Sequence, residues 1–323
     1  MSTRRNFLIA TTLGASAFAM RVHAESSRMR LVGIVYPEPT DGPDYRRAWA
    51  AFTEEMHQRG WEEGRNIVFE RRYFHGDRAR LAELMAELTA LKVDLLFVQG
   101  VWAVFAARQA SSRIPIVFAV GDAVGRGVVV NVARPEGNAT GVSNRSVETT
   151  AKVVELLTQI SPGVSRIAAF MNTDTGYPPA LFQESMRRGV EIIIVDLKGP
   201  QDIGPSMATV SQRRADAIVV WVGLKPPFQA DLINAVAKAR LPAAWPGRQD
   251  VELGGLFCLE RDLAYNHRRV AVYIDKILRG AKPVDLPVEQ PAVFELAINL
   301  KTAKTIGITI PRELIVRADW IVE

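Results

Sequence analysis

The chain has 323 residues, 48 % of them hydrophobic, with ordinary glycine and proline content, which is enough apolar material for two packed lobes. Its formal net charge of +5 is concentrated at the start, because the first 24 residues hold Arg4, Arg5 and Arg21 and no acid; the near-balanced remainder argues against a nucleic-acid partner. One cysteine, Cys258, excludes an intramolecular disulfide and a cysteine-based zinc site, and the four histidines show no metal-ligand spacing, so no metal is expected.

The opening "MSTRRNFLIATTLGASAFAMRVHAES" sets Arg4 and Arg5 before a moderately apolar stretch, Phe7 to Met20, and an A-x-A-like site at Val22-His23-Ala24. That stretch is about 14 residues, too short for a comfortable membrane span. The arginine pair followed by Phe7-Leu8 resembles a twin-arginine export signal. The expectation is a leader over residues 1–24, cleaved after Ala24, and a periplasmic mature chain. A generic secretory leader or an uncleaved anchor is the alternative.

From Arg30 onward short β-branched runs alternate with helical patterns. "LVGIVY" (Leu31–Tyr36) reads as a strand and Asp44–Arg59 as a helix stopped by Gly60. "NIVFERRY" (strand), Arg78–Leu91 (helix), "DLLFVQ" (strand), Trp102–Ala110 (helix) and "IPIVFAV" (strand) follow, and "VVVNVA" (Val128–Ala133) is a further candidate strand. "ARPEGNATGVSN" (Ala133–Asn144) breaks the pattern as a turn or crossing strand. The alternation restarts with Val147–Ile160 (helix), "RIAAFMN" (strand), Pro179–Arg188 (helix), "EIIIVDL" (strand), Pro205–Arg213 (helix), "AIVVWV" (strand), Phe228–Ala239 (helix) and "LPAAW" (strand). A long amphipathic helix, Leu263–Leu278, precedes a late strand and helix. The pattern predicts an α/β fold of two doubly wound parallel-sheet lobes, the chain recrossing between them through hinge strands. Lobe 1 is expected over 30–141 and 258–288, and lobe 2 over 142–257 and 289–323.

Ligands of open α/β sheets sit beyond the carboxyl ends of the strands. Those ends give Tyr36, Gln99, Gly100 and Trp102, then Gly121 and Asp122, in the first half. In the second half they give Asn172 and Thr173 with Tyr177, then Trp221 and Gly223, Trp245, and the stretch around Cys258. The set is aromatic and polar, with few titratable groups. It contains no nucleophile elbow and no phosphate loop, and "GDAVGRG" (Gly121–Gly127) fails dinucleotide-loop spacing, so neither catalysis nor a cofactor is expected. Core packing explains any one tryptophan as well as stacking on a ligand does; three of them at strand ends favour the ligand reading.

The tail "YIDKILRGAKPVDLPVEQPAVFELAINLKTAKTIGITIP" (Tyr273–Pro311), with "ARPEGNATGVS", "GWEEGRNIVFERRY", "IPIVFAVGDAVG" and "ELGGL", resembles the ABC-transporter substrate-binding protein family of the type I periplasmic-binding-protein fold. The branch is that of tryptophan/tyrosine-type receptors. The resemblance implies a clamshell closing on a small solute, with no bond chemistry, and delivery to an ABC permease and ATPase on separate chains. A monomer is expected. Where the family commonly shows "GGTPAA" after the third strand, this chain has Gly100-Val101-Trp102, and where it shows "PDP" or "SYG" this chain has Val222-Gly223-Leu224 and Cys258-Leu259-Glu260. The hydroxyls that would hold a carboxylate and the acid that would hold an amine are largely replaced, so the expectation shifts to a flatter, more apolar or aromatic solute gripped by Trp102, Trp221 and Tyr177. A periplasmic sensor presenting its ligand to a membrane signalling partner is the alternative role.

Overall fold

The computed structural model describes residues 28–37, 43–144, 146–173, 182–187, 189–221, 228–291 and 293–323. The expected leader, Tyr177 and Gly223 lie outside these residues. The chain divides into two compact units, the first holding residues up to Asn144 together with Leu263–Gln290, the second holding Arg145–Asp262 with Pro291–Glu323. The passages therefore fall at 144/145, 262/263 and 290/291, a few residues later than the sequence pattern places them.

The first unit carries β1 (Arg30–Tyr36), α1 (Pro43–Gln58), β2 (Ile67–Tyr73), α2 (Arg80–Ala90), β3 (Leu95–Gln99), α3 (Val101–Ala110), β4 (Ile116–Val120) and β5 (Ala139–Ser143). Its five strands are all parallel, in the order β2-β1-β3-β4-β5. Alternate residues serve opposite faces, as a strand's period of two requires. Leu95 and Phe97 of β3 pack with Phe52, Tyr273 and Ile274 on one side, and Leu96 and Val98 with Leu88, Met85 and Val104 on the other. Burial on both faces is why these strands read as continuous apolar runs. Gly60, at φ +86°, stops the chain just past α1 and supplies the left-handed residue a helix end favours.

Val128–Ala133 is not a strand. The N–H groups of Val128 and Val129 both bond to the Ala123 carbonyl, at 2.8 and 3.1 Å, and the two valine side chains plug the core. The place beside β4 is taken instead by β5, whose Gly141 lies opposite Phe118. At Gly141, φ is +151° and an added Cβ would sit 2.1 Å from the Phe118 carbonyl oxygen, so only glycine permits that register.

The second unit contains α4 (Ser146–Ile160), β6 (Arg166–Met171), α5 (Gln183–Arg187), β7 (Glu191–Asp196), α6 (Ile203–Gln212), β8 (Ala217–Val220), α7 (Phe228–Ala239), β9 (Ala243–Trp245), α8 (Arg248–Glu252) and β10 (Phe257–Arg261). After α9 (Leu263–Leu278), which belongs to the first unit, come β11 (Phe294–Asn299), α10 (Leu300–Ile306), α11 (Arg312–Arg317) and β12 (Trp320–Val322). The seven-stranded order is β12-β11-β10-β9-β8-β6-β7. β11 departs from the parallel pattern, running antiparallel to β10. The chain leaves this unit after β10 and returns into β11, and strands going out and coming back side by side pair antiparallel. β10 and Cys258 thus belong to the second unit, not to the first as the sequence pattern places them. Among the described residues no helix is long and apolar enough to cross a membrane.

Candidate functional site

At the carboxyl edge of the first sheet, β3 ends at Gln99 and Gly100 turns the chain into α3 with φ +98° and ψ 147°. Its N–H bonds to the Ala119 carbonyl at 3.1 Å, tying the turn to β4. No side chain caps α3, so its first N–H groups are left for water or another acceptor. Trp102, second in the helix, is 41 % exposed. Its ring meets Phe105 edge-on, with centroids 6.0 Å apart at 72°. The Arg78 guanidinium lies 4.1 Å from the centre of the same indole, a cation–π contact from the loop after β2. At the end of β3 the Gln99 Oε1 atom is buried and accepts no hydrogen bond from the described residues.

Gly121 and Asp122 follow β4. Asp122 accepts the Gly125 N–H at 2.9 Å in a side-chain turn, and Ser143 Oγ accepts the Ala123 N–H at 3.0 Å while donating to the Gly121 carbonyl at 3.3 Å. Asp122 therefore shapes its own loop.

Tyr36 ends β1 but is buried, and its ring meets Phe97 edge-on. Nδ1–H of His267 donates to the Leu263 carbonyl at 2.8 Å, which leaves Nε2 to accept the Tyr36 hydroxyl at 3.0 Å. Burial pushes the Tyr36 phenol up and the His267 imidazole down. Tyr36 is a packing residue whose polar end is already satisfied.

In the second unit Asn172 and Thr173 follow β6. The Thr173 N–H donates to Asp196 at 3.0 Å, and this bond, reinforced by Lys198, holds the Asp196 carboxyl below its usual range. Trp221 follows β8, donates its backbone N–H to the Phe170 carbonyl at 2.7 Å, and is half-buried against Ala169, Met171 and Phe182. Trp245 is 4 % exposed, and its ring fills the space a Cβ on Gly255 would need, only 2.6 Å away. Cys258 lies opposite Trp245 in the strand register, fully buried, and desolvation pushes its thiol well up. Such a thiol is a poor nucleophile.

Of the residues read at strand ends, Gly100, Trp102, Gly121 and Asp122 gather on one edge of the first sheet, while Asn172, Thr173 and Trp221 stand at strand ends of the second. Tyr36, Trp245 and Cys258 are interior. The sequence reading missed Arg78, although a cation in a strand-to-helix loop of the ligand edge is a legible signal. It also missed His267, which lies 231 residues from Tyr36 and carries no local signal. Among the described residues no group of three or more His, Cys, Asp or Glu side chains could hold a metal ion.

The chain is 22 % identical over 303 residues to a tyrosine-binding protein of Clostridioides difficile, covering 91 % of this chain and 85 % of the relative. A conserved domain protein from Vibrio cholerae superposes with a TM-score of 0.79 at 24 % identity, covering 91 % of this chain and all of that one. An ABC domain in complex with L-Trp from Streptococcus pneumonia gives a TM-score of 0.76 at 21 % identity, covering 92 % of this chain and all of that one. At these identities the structural likeness establishes the two-lobed α/β fold. The family matched over residues 38–322 consists of receptors that bind a substrate rather than transform it. The chain belongs to the ABC transporter substrate binding protein family.

Proposed function

We propose that this chain is an exported solute receptor of an ABC importer, carrying a small aromatic or apolar-ringed solute to a permease and ATPase on other chains. The observation that carries the solute class is Trp102. It is the exposed tryptophan at a strand mouth of the first sheet, whereas Trp245 is interior. A half-exposed indole, an uncapped helix end and a buried Gln99 amide oxygen with no partner among the described residues share one strand-to-helix turn, and support an apolar platform with an acceptor in the same turn. A ring bearing an N–H or hydroxyl donor satisfies both. The second unit contributes Asn172, Thr173 and Trp221, with Tyr177 and Gly223 completing the set read from the sequence. The solute draws the two units closed, and the permease reads that closed form.

The leader over residues 1–24 takes the chain out of the cytoplasm by the twin-arginine route and is removed after Ala24, leaving a monomer in the periplasm. The relatives named for tyrosine and crystallised with L-Trp support an aromatic amino acid as the first solute to try. The test is uptake. Cells lacking the chain should lose import of labelled tryptophan, tyrosine or a related ring compound, and regain it with the intact gene. Normal uptake of all of them, alongside loss of a transcriptional response to one, would favour the sensor role.

A further inference from the structure

The opposite edge of the first sheet carries a second site. A groove of about 550 Å³ opens there between the start of β1, the turn after α1 and the end of α9, lined by Arg28, Arg30, Trp61, Asn66 and Arg279. Its volume falls in the range of small-molecule sites. All of its charged lining residues are cations. The carboxylates that answer them, Asp94 and Asp275, are not part of the lining, with side chains only 13 % and 9 % exposed.

Those two acids are shared. Asp94 accepts the Leu31 N–H at 2.8 Å and faces Arg30 at 3.3 Å and Arg28 at 3.5 Å. Asp275 accepts Trp61 Nε1–H at 2.8 Å and meets Arg59 at 3.3 Å and Arg279 at 2.6 Å. Each carboxylate is spread over two guanidinium groups, which leaves Arg28, among the described residues, with one long contact and a side chain 69 % exposed. Arg279 is 59 % exposed and turns its guanidinium toward the Trp61 ring, 5.6 Å from its centre. The same edge exposes Met29 between the two leading arginines and Leu91 beside Lys92. Forked cations around an aromatic ring, with apolar side chains exposed on the same edge, match the chemistry of an anionic membrane surface: guanidinium groups grip phosphate oxygens, and an aromatic ring suits the headgroup level.

We propose that this groove binds the phosphate of an anionic phospholipid headgroup. The first unit then rests against the membrane by the edge away from its solute loops. Export, proposed above, places the chain beside such a surface; the binding itself depends on neither the solute nor the transporter.

The experiment is co-sedimentation of the chain, as exported and processed by its host, with vesicles of phosphatidylglycerol and phosphatidylcholine or of phosphatidylcholine alone. The wild type should sediment with the anionic vesicles only, and less so at high salt. The pair Arg28→Gln and Arg279→Gln should weaken association about thirty-fold, since each basic residue near a charged surface contributes roughly a five-fold effect. The exposed pair Arg214→Gln and Arg240→Gln should leave it near wild type. Asp94 keeps Arg30 and Asp275 keeps Arg59 in the groove variant, so the fold is retained; should it not be, Arg28→Gln alone is read for a five-fold loss. No association by the wild type, or equal association by the groove variant, overturns the proposal. Binding of inorganic phosphate without vesicle association assigns the groove to a soluble anion and overturns the lipid assignment.

Discussion

The Arg78 guanidinium covers one face of the Trp102 indole at 4.1 Å. The residue that takes the place of a small hydroxyl at the mouth of α3 is therefore held from outside its own helix, by a loop one strand away. A cation on a half-exposed indole fixes the ring and leaves its other surface to meet a solute.

Replacing Trp102 with Ala is expected to weaken solute affinity about ten-fold, near 1.4 kcal/mol of ring contact, with little change in unfolding midpoint because the side chain is 41 % exposed. Arg78→Ala should cost affinity less, about three-fold, through loss of positioning. Calorimetric titration of both variants checks this. Unchanged affinity in Trp102→Ala would return the indole to a surface packing role.

The Tyr36–His267 pair predicts a pH dependence of stability. Burial holds the His267 imidazole below its ordinary value, so as pH falls through about 6.5 the unfolded chain takes up this proton before the folded one does. Stability should therefore decline between about pH 7 and pH 5. The Asp196, Asp216 and Asp275 carboxyls are depressed, so the stability they contribute is present above about pH 4 and is lost below it, in a separate window. Urea unfolding of wild type and His267→Asn at pH 7.5 and 5.5 separates the two: the variant should be less stable at pH 7.5 and flatter between the two pH values.

Gly141→Ala should be among the most damaging single changes. The added Cβ meets the Phe118 backbone at 2.1 and 2.6 Å in a rigid strand pair that cannot yield. A loss on the order of 4 kcal/mol or more is expected, seen as poor soluble yield or a lowered thermal midpoint.

Cys258 should resist thiol reagents in the folded chain and react at once in denaturant, because it is fully buried and its thiol is pushed up by desolvation. Rapid modification of folded protein would contradict its placement inside the second unit.

Helices α7 and α9 were legible to the residue, because an apolar stripe with clear ends marks each, Gly280 closing the second. The parallel core strands were legible because burial on both faces leaves them apolar throughout. Val128–Ala133 misled, since three consecutive valines signal a strand whether they pair or plug a core. The direction of β11 was hidden because direction follows from where the chain re-enters the unit, which no local pattern encodes. At the candidate site, Trp102 stood out through its position after Gly100. Trp245 stands at the same kind of place, and its burial in the core and its contact with Gly255, neither of which a local pattern encodes, show that it faces inward.

The decisive measurement is calorimetric titration of the exported chain, stripped of bound solute and shown to be folded. The compounds to try are L-tryptophan, L-tyrosine, indole acids, nucleosides and small peptides. A solute receptor should show saturable one-to-one binding of a ring-bearing solute, recovery of that solute unchanged, and quenching of tryptophan fluorescence that Trp102→Ala diminishes. Binding confined to compounds without a ring, or chemical conversion of the bound compound, would contradict that role.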